Sequence, residues 1–529
     1  MNNPLITTVL SCFLYSSFAF GQSAPLAIGW ANVDITPDKP VLLAGQFYAR
    51  VSEGVMDPIT ATALAISTRN DGGAEENIIM ISVDVVGISD GMRDGANLRD
   101  ATRKLVIEAL PELSPEKIII NATHTHAAPL VASLKPIEEI YGFPMEQLSP
   151  DKEVMPPADY LEELSETLAK AAIEAWQNKK PSGISFGLSH AVVGRNRLQA
   201  KNEGNSTMYG NTNDPNFSHI EGYEDHALNL IFTWNKEEEL KGILINIPAP
   251  SQVSEHSFEL SADFWHETRI RIKKEFGEQV HLFPQVSAAG DLSPHVMIDG
   301  KAEERMQRLM GWEELGTGRN SMAQRHQIAN RITEGIASIF PVMQKNIDFA
   351  PVVLHQAKVL ELPRRLLGEE DVKTAQQEAK EWGEKYQAVK DLLIDDPEMI
   401  HNPRWYRDAT TSFSRMRRGT VVEERYELEK TNPTLPVEIH ALRIGEIAMV
   451  TNPFELYLDY GMRMKARSPA VQTFVAQLTG AGSYLPTRRS IAGGAYGAVP
   501  ASTLIGPEGG DMLVEESLNL IHTLFDKNE

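Results

Sequence analysis

Apolar positions along the 529-residue chain alternate between two periods. Ile78-Ile79-Met80-Ile81-Ser82-Val83 and Ile118-Ile119-Ile120 are apolar runs too short for helices, the pattern of strands buried on both faces. Residues 98–110 and 161–177 carry apolar side chains at helical intervals, and Pro111 ends the first of these. Residues 184–193, 227–234 and 243–245 read as further strands, residues 436–450 return to strand character, and residues 512–525 read as a closing helix. No internal repeat interrupts this order. The alternation predicts an α/β fold, a layered mixed β-sheet core with flanking helices. Residues 362–400 differ. They are highly charged, with Val372, Ala375, Ala379 and Trp382 at helical spacing, and predict a charged helical insertion on the surface rather than a partner-binding helix.

Charge narrows the function classes. A net charge of −22 disfavours nucleic acid, whose binding depends on basic patches that displace counterions. It equally disfavours attraction to an anionic membrane. At the N-terminus a largely apolar run from Pro4 to Phe20 is followed by Gly21-Gln22-Ser23-Ala24. Residues 1–23 therefore read as a signal peptide, which predicts export to the periplasm or medium and no membrane span in the mature chain. The single cysteine, Cys12, lies in that segment. A mature chain without it has neither disulfides nor a thiolate nucleophile, and any metal must take His, carboxylate or phenolate ligands.

Thr123-His124-Thr125-His126 follows the buried run 118–120 directly, at a strand end where side chains reach a crevice. Residues two apart on an extended segment share a face. Both imidazoles can then line one pocket, as ligand plus acid/base or as two ligands. Asn452-Pro453-Phe454-Glu455 places a carboxylate after another apolar strand, as metal ligand, base or helix-start residue. Ala289-Gly290-Asp291-Leu292-Ser293-Pro294-His295 is a turn-rich loop carrying an acid and an imidazole. Gly183-Ile184-Ser185-Phe186-Gly187 has the spacing of a nucleophile elbow, but strand pattern continues beyond it where that motif needs a helix, so Ser185 reads as a strand residue.

Taken in order, these segments resemble the catalytic domain of the neutral/alkaline, non-lysosomal ceramidases. The likeness opens at Ile28-Gly29-Trp30-Ala31-Asn32-Val33-Asp34-Ile35-Thr36-Pro37 and is most specific at Asn121 to Pro129. It continues through Ser261-Ala262-Asp263, Gly290 to Pro294, Asn452 to Glu455, and Tyr484-Leu485-Pro486-Thr487 to Tyr496. It spans residues 26–505 and implies one catalytic domain over residues 24–529, a divergent member lacking the family's C-terminal β-rich domain. The resemblance implies one zinc ion, with His124, Glu455 and Tyr484 as ligands. It implies catalytic or substrate-contacting roles for His126, Tyr496, Arg197 and Asp291. The family's second ligand histidine has no counterpart in residues 246–252, which leaves His256, His295 or the oxygen of Gln252. His256 is taken as the fourth metal ligand.

The implied activity is hydrolysis of an amide bond in a ceramide-like N-acyl lipid by metal-activated water. A second reading is a hydrolase of the same fold acting on a glycan or a sugar-linked ester or amide. A third is a binding protein without catalysis. An apolar groove at the site favours lipid, and a polar, aromatic-lined cleft favours sugar.

Overall fold

The computed structural model describes residues 24–69, 75–91, 97–131, 135–317 and 320–526. Residues 1–23, read above as a signal peptide and carrying Cys12, lie outside the described residues.

Among the described residues the main sheet has eight strands. In chain order they are β1 (Ala24–Asp34), β2 (Thr60–Arg69), β3 (Glu75–Val83), β4 (Ile118–Ala122), β5 (Lys180–His190), β6 (Ala227–Asn235), β7 (Leu240–Ile247) and β8 (His281–Val286). Across the sheet they run β8-β7-β6-β5-β1-β2-β3-β4. Only the flanking pairs, β3 with β4 and β7 with β8, are parallel. A second sheet holds β9 (Val353–Pro363), β10 (Thr434–Ile444), β11 (Ile447–Thr451) and β12 (Gln472–Ala476) in that order.

The two sheets pack face to face. Ile28, Leu64, Ile66, Ile78, Met80, Ile119 and Leu244 of the first meet Leu442, Ile444, Met449 and Phe474 of the second in one buried cluster. The alternate residues Ile79, Ile81, Ile118 and Ile120 pack the other way, against α1 (Leu98–Ala109) and α2 (Pro157–Gln177). Both faces of β3 are thus covered, which explains its unbroken apolar run. The far half of the main sheet is covered by α3 (Phe264–Phe276) and α4 (Met322–Met343), and the second sheet by α7 (Pro507–Asp526). The chain is a mixed α/β layered sandwich with flanking helices.

The charged stretch becomes helical later than its composition suggests, because residues 353–363 are strand β9. Helix α5 (Glu369–Asp395) begins after it and returns as α6 (Tyr406–Glu429), so the helical region is a hairpin. Ser185 sits within β5, where its hydroxyl accepts a hydrogen bond from Trp234 Nε1 at 2.9 Å. No described helix is long and apolar enough to cross a membrane.

Between the two sheets, His355 and His440 stack and share a hydrogen bond of 3.0 Å. His440 also faces Glu438, which Arg103 holds. Burial, and then the neighbouring His440, push His355 down to about 2. Burial also lowers His440. The unfolded chain takes up these protons near the ordinary histidine value while the folded chain does not, so stability falls as pH drops below about 6.5. One such imidazole gives a slope of about 1.4 kcal/mol per pH unit. The unfolding temperature is therefore expected to fall between pH 7 and pH 5, and His355→Gln to flatten that slope. An equal slope in the variant would contradict this assignment.

Candidate active site

Eight segments distant in sequence converge on a cavity of about 660 Å³. Its first wall is the turn after β4. The strand ends at Ala122, and Thr123 and His124 donate their backbone N–H to Val83 and Val85. His124 then takes a left-handed backbone, φ 63°. The His pair therefore does not share a face through an extended segment, as its spacing suggested. The rings meet because the chain turns sharply at His124, a conformation that costs a non-glycine residue on the order of 1 kcal/mol and recurs at functional sites. Gly45 borders the second ring so closely that any Cβ there would collide with His126.

The hydrogen bonds assign the tautomers. His124 Nδ1–H donates to the Val86 carbonyl at 2.6 Å, which leaves the lone pair of Nε2 facing the cavity. Gln252 takes donors from Arg197 Nη1 and the Tyr209 hydroxyl on its oxygen. Its amide N–H therefore faces His126 Nε2, at 2.8 Å. The two Nε2 lone pairs stand 3.2 Å apart. That arrangement is repulsive unless a positive centre, a proton or a metal ion, lies against it. Burial lowers the proton affinity of both rings, and for His126 the neighbouring His124 adds to it.

The second wall carries oxygen donors. The short strand Glu455–Leu456 pairs in parallel with Tyr484–Leu485, and this register sets Glu455 opposite Tyr484. Glu455 Oε2 lies 3.7 Å from His124 Nε2 and 3.8 Å from Arg197 Nη2. Burial, then Glu455, push the Tyr484 hydroxyl well above its ordinary value. Tyr496 stands edge-on to Tyr484, with ring centres 5.8 Å apart. Arg197 is buried and donates to Tyr209 at 2.7 Å and to the Gly290 carbonyl at 2.8 Å. Burial opposes its charge, but Tyr209, Tyr484 and Glu455 more than offset that and hold it protonated.

Two expected site residues sit otherwise. Asp291 does not line the cavity. It is buried, accepting from the Leu458 N–H at 2.8 Å and from Asn196 Nδ2 at 2.9 Å, and burial pushes it up to about 6. It ties the segment after Glu455 to the segment carrying Arg197. A Cβ at Gly290 would strike the Glu455 carbonyl, so this loop approaches only with glycine there. His256 does line the cavity, but Nδ1 pairs with the Tyr48 hydroxyl at 3.1 Å and Nε2 lies 3.5 Å from Glu255 Oε1. Both its nitrogens are engaged on that side, so Gln252, not His256, stands beside the histidine pair.

Glu255 was not singled out from the sequence. It lies in the polar run Ser254-Glu255-His256-Ser257, where no periodicity marks it. Burial pushes it up, but the hydrogen bond from His295 at 3.0 Å and the nearby imidazoles outweigh that and hold it at about 2. Its second oxygen is 3.9 Å from His126 Nδ1.

The donor set suits a divalent cation of mixed ligation: the free Nε2 of His124, the Glu455 carboxylate and the Tyr484 phenol. Among the described residues no group of three His, Cys, Asp or Glu side chains is arranged to hold a metal ion. The third donor here is a phenol, outside those residue types.

No model of a known protein family matches the sequence, and no curated protein does. Solved structures do. The chain superposes on neutral ceramidase from Pseudomonas aeruginosa with a TM-score of 0.64 and 13% identity, over 95% of this chain and 75% of that one. A ceramidase complexed with C2 matches with a TM-score of 0.62 and 13% identity, over 95% and 76%. The fold is neutral ceramidase-like.

Proposed function

We propose that this chain is a metal-dependent hydrolase that cleaves an acyl C–N or C–O bond in the cavity between His124 and Tyr496. The observation that carries this reading is the convergence of His124, His126, Arg197, Glu455, Tyr484 and Tyr496 on one cavity. A zinc ion would be held by His124, Glu455 and Tyr484; bound there it supplies a Lewis acid and a water acidic enough to attack at neutral pH. Arg197, fixed on four oxygen partners, orients a polar group of the substrate. The Tyr496 hydroxyl donates to the oxygen of the acyl carbon as negative charge develops on it. His126 carries the proton: its Nδ1 side faces Glu255, and Nε2 takes a proton from the attacking water and passes it to the departing nitrogen or oxygen.

The ceramidase-like fold supports an N-acyl lipid as substrate. The lining favours the sugar-linked alternative: among the described lining residues only Val86 and Met208 are aliphatic, beside Phe47, Tyr209, Tyr484 and Tyr496. A cleft built for an acyl chain needs a longer apolar wall. The conclusion is an exported acyl hydrolase of a polar, sugar-linked ester or amide, tested by turnover on paired N-acyl-sphingoid and acyl-sugar substrates. Faster turnover of the lipid would reverse the order of the two readings.

His126→Ala is expected to lower turnover by roughly 10²- to 10⁴-fold, the usual range for a lost general acid–base, while metal content by elemental analysis stays at the wild-type level. Loss of the metal in this variant would make His126 a ligand instead.

A further inference from the structure

We propose that helix α6 forms a binding subsite for an acidic oligosaccharide, leading into the cavity. The proposal rests on the sugar-linked reading above and adds the charge class of the substrate. Arg407, Arg415 and Arg418 fall at intervals of eight and three on α6, with Thr411 between, and so share one face of the helix. That face meets an aromatic row. Arg407 lies 4.9 Å from the Tyr48 ring centre, Arg415 4.7 Å from Phe47, and Arg418 4.8 Å from Tyr496. Phe47, Arg415 and Tyr496 line the cavity itself.

Their pairing separates these arginines from their neighbours. Arg404 pairs with Glu53 at 2.7 Å, Arg417 with Glu424 at 2.6 Å, and Arg425 with Glu429 at 2.9 Å. Among the described residues no ion pair involves Arg407, Arg415 or Arg418. A chain with net charge −22 has carboxylates in excess, yet leaves these three arginines, of which Arg415 lines the cavity, without an ion pair. A positive strip at a cleft in an otherwise negative molecule concentrates anions at that cleft. Stacking on the rings holds the guanidinium planes of Arg407 and Arg415 while leaving their N–H edges to carboxylate or sulfate oxygens; Arg418 donates to the Ser502 hydroxyl at 2.8 Å and the Tyr496 hydroxyl at 3.4 Å and adds its charge to the strip.

The strip's length selects the ligand. Eleven helical residues separate Arg407 from Arg418, about 16 Å at 1.5 Å per residue. That exceeds a single small anion and suits a chain with repeated anionic groups. Phe47, Tyr48 and Tyr496 offer ring surface to sugar rings between those charges. The molecule's own negative charge opposes approach to an anionic bilayer.

The test is equilibrium binding of a fluorescent oligouronate and a sulfated oligosaccharide to the full chain. A neutral oligosaccharide of equal length, single-stranded DNA and phosphatidylserine vesicles serve as comparisons. The acidic oligosaccharides are expected to bind, more weakly as salt rises. R407Q/R415Q is expected to weaken binding at least tenfold, R415K less, and R417Q, off this face, not at all. Equal binding of the neutral oligosaccharide, no loss in R407Q/R415Q, or tighter binding of DNA or vesicles would overturn the proposal. Repeating the binding in His124→Ala separates it from the reaction. Binding there, with no hydrolysis of any acyl ester or amide by wild type, would sink the reaction and keep the subsite. Hydrolysis of neutral acyl sugars without binding of acidic ones would do the reverse.

Discussion

His124→Ala and Glu455→Ala are each expected to abolish zinc binding and turnover together. Both groups face one point: the free Nε2 of His124 and Glu455 Oε2 lie 3.7 Å apart, with Tyr484 in register beside Glu455. Each removal strips one of three proposed donors, so little ligation remains to compensate. The lost Lewis acid and activated water are worth several kcal/mol of transition-state stabilisation. At about 1.4 kcal/mol per tenfold, turnover should fall on the order of a thousandfold or more. Elemental analysis of purified wild type should show about one zinc per chain, a central expectation for three protein ligands and an open position. A folded wild-type chain that holds no metal would end the metal-hydrolase reading. Metal retained in Glu455→Ala would place the site elsewhere.

How much of this was legible in the sequence depended on where the information lies. Strands β3 and β4 were readable because sheets and helices cover both faces, and an apolar run records that cover directly. Helices α1, α2 and α7 were readable from their apolar stripes. Strand β9 was not: it alternates exposed Lys358, Val359 and Glu361 with buried Leu360 and Leu362, and abuts the charged hairpin. In the cavity, His124, His126 and Glu455 stood out because they follow apolar strands, whereas Tyr484 and Tyr496 entered only through the resemblance. Long-range placement was not. That Asp291 turns inward to tie two backbone segments, that His256 faces Tyr48, and that Glu255 gathers three imidazoles all depend on contacts that no period along the chain records. The arginine strip of α6 was not read from the sequence: the helix lies beyond the charged stretch 362–400, and the strip's meaning lies in the aromatic row across from it.

That dependence on distant contacts makes Arg325 the position with the largest expected effect on stability. Arg325 lies on α4, fully buried, and ties together the loop that carries Gln252 and Glu255. It donates to Asp57 at 2.7 Å, to Glu267 at 2.9 Å, to the Asp263 carbonyl at 3.0 Å and to the hydroxyls of Ser254 and Ser261. Asp57 in turn holds Ser261 and the Ala262 N–H, each at 2.7 Å. Burial already pushes Glu267 up to about 7 against the pull of Arg325. Arg325→Met leaves these carboxylates buried with no cation among them, a change that costs about 3–5 kcal/mol. The denaturation midpoint should fall accordingly, and turnover should fall with it, because Ser254 no longer anchors the segment between Gln252 and Glu255. Adding Glu267→Leu should recover part of the stability, since one unpaired carboxylate is then gone. Recovery without restored turnover would show that the arginine positions the loop as well as neutralising it. A loss below about 1 kcal/mol in the single variant, the level of a surface ion pair, would mean that water or protonation satisfies these acids and that the network does not hold the site in place.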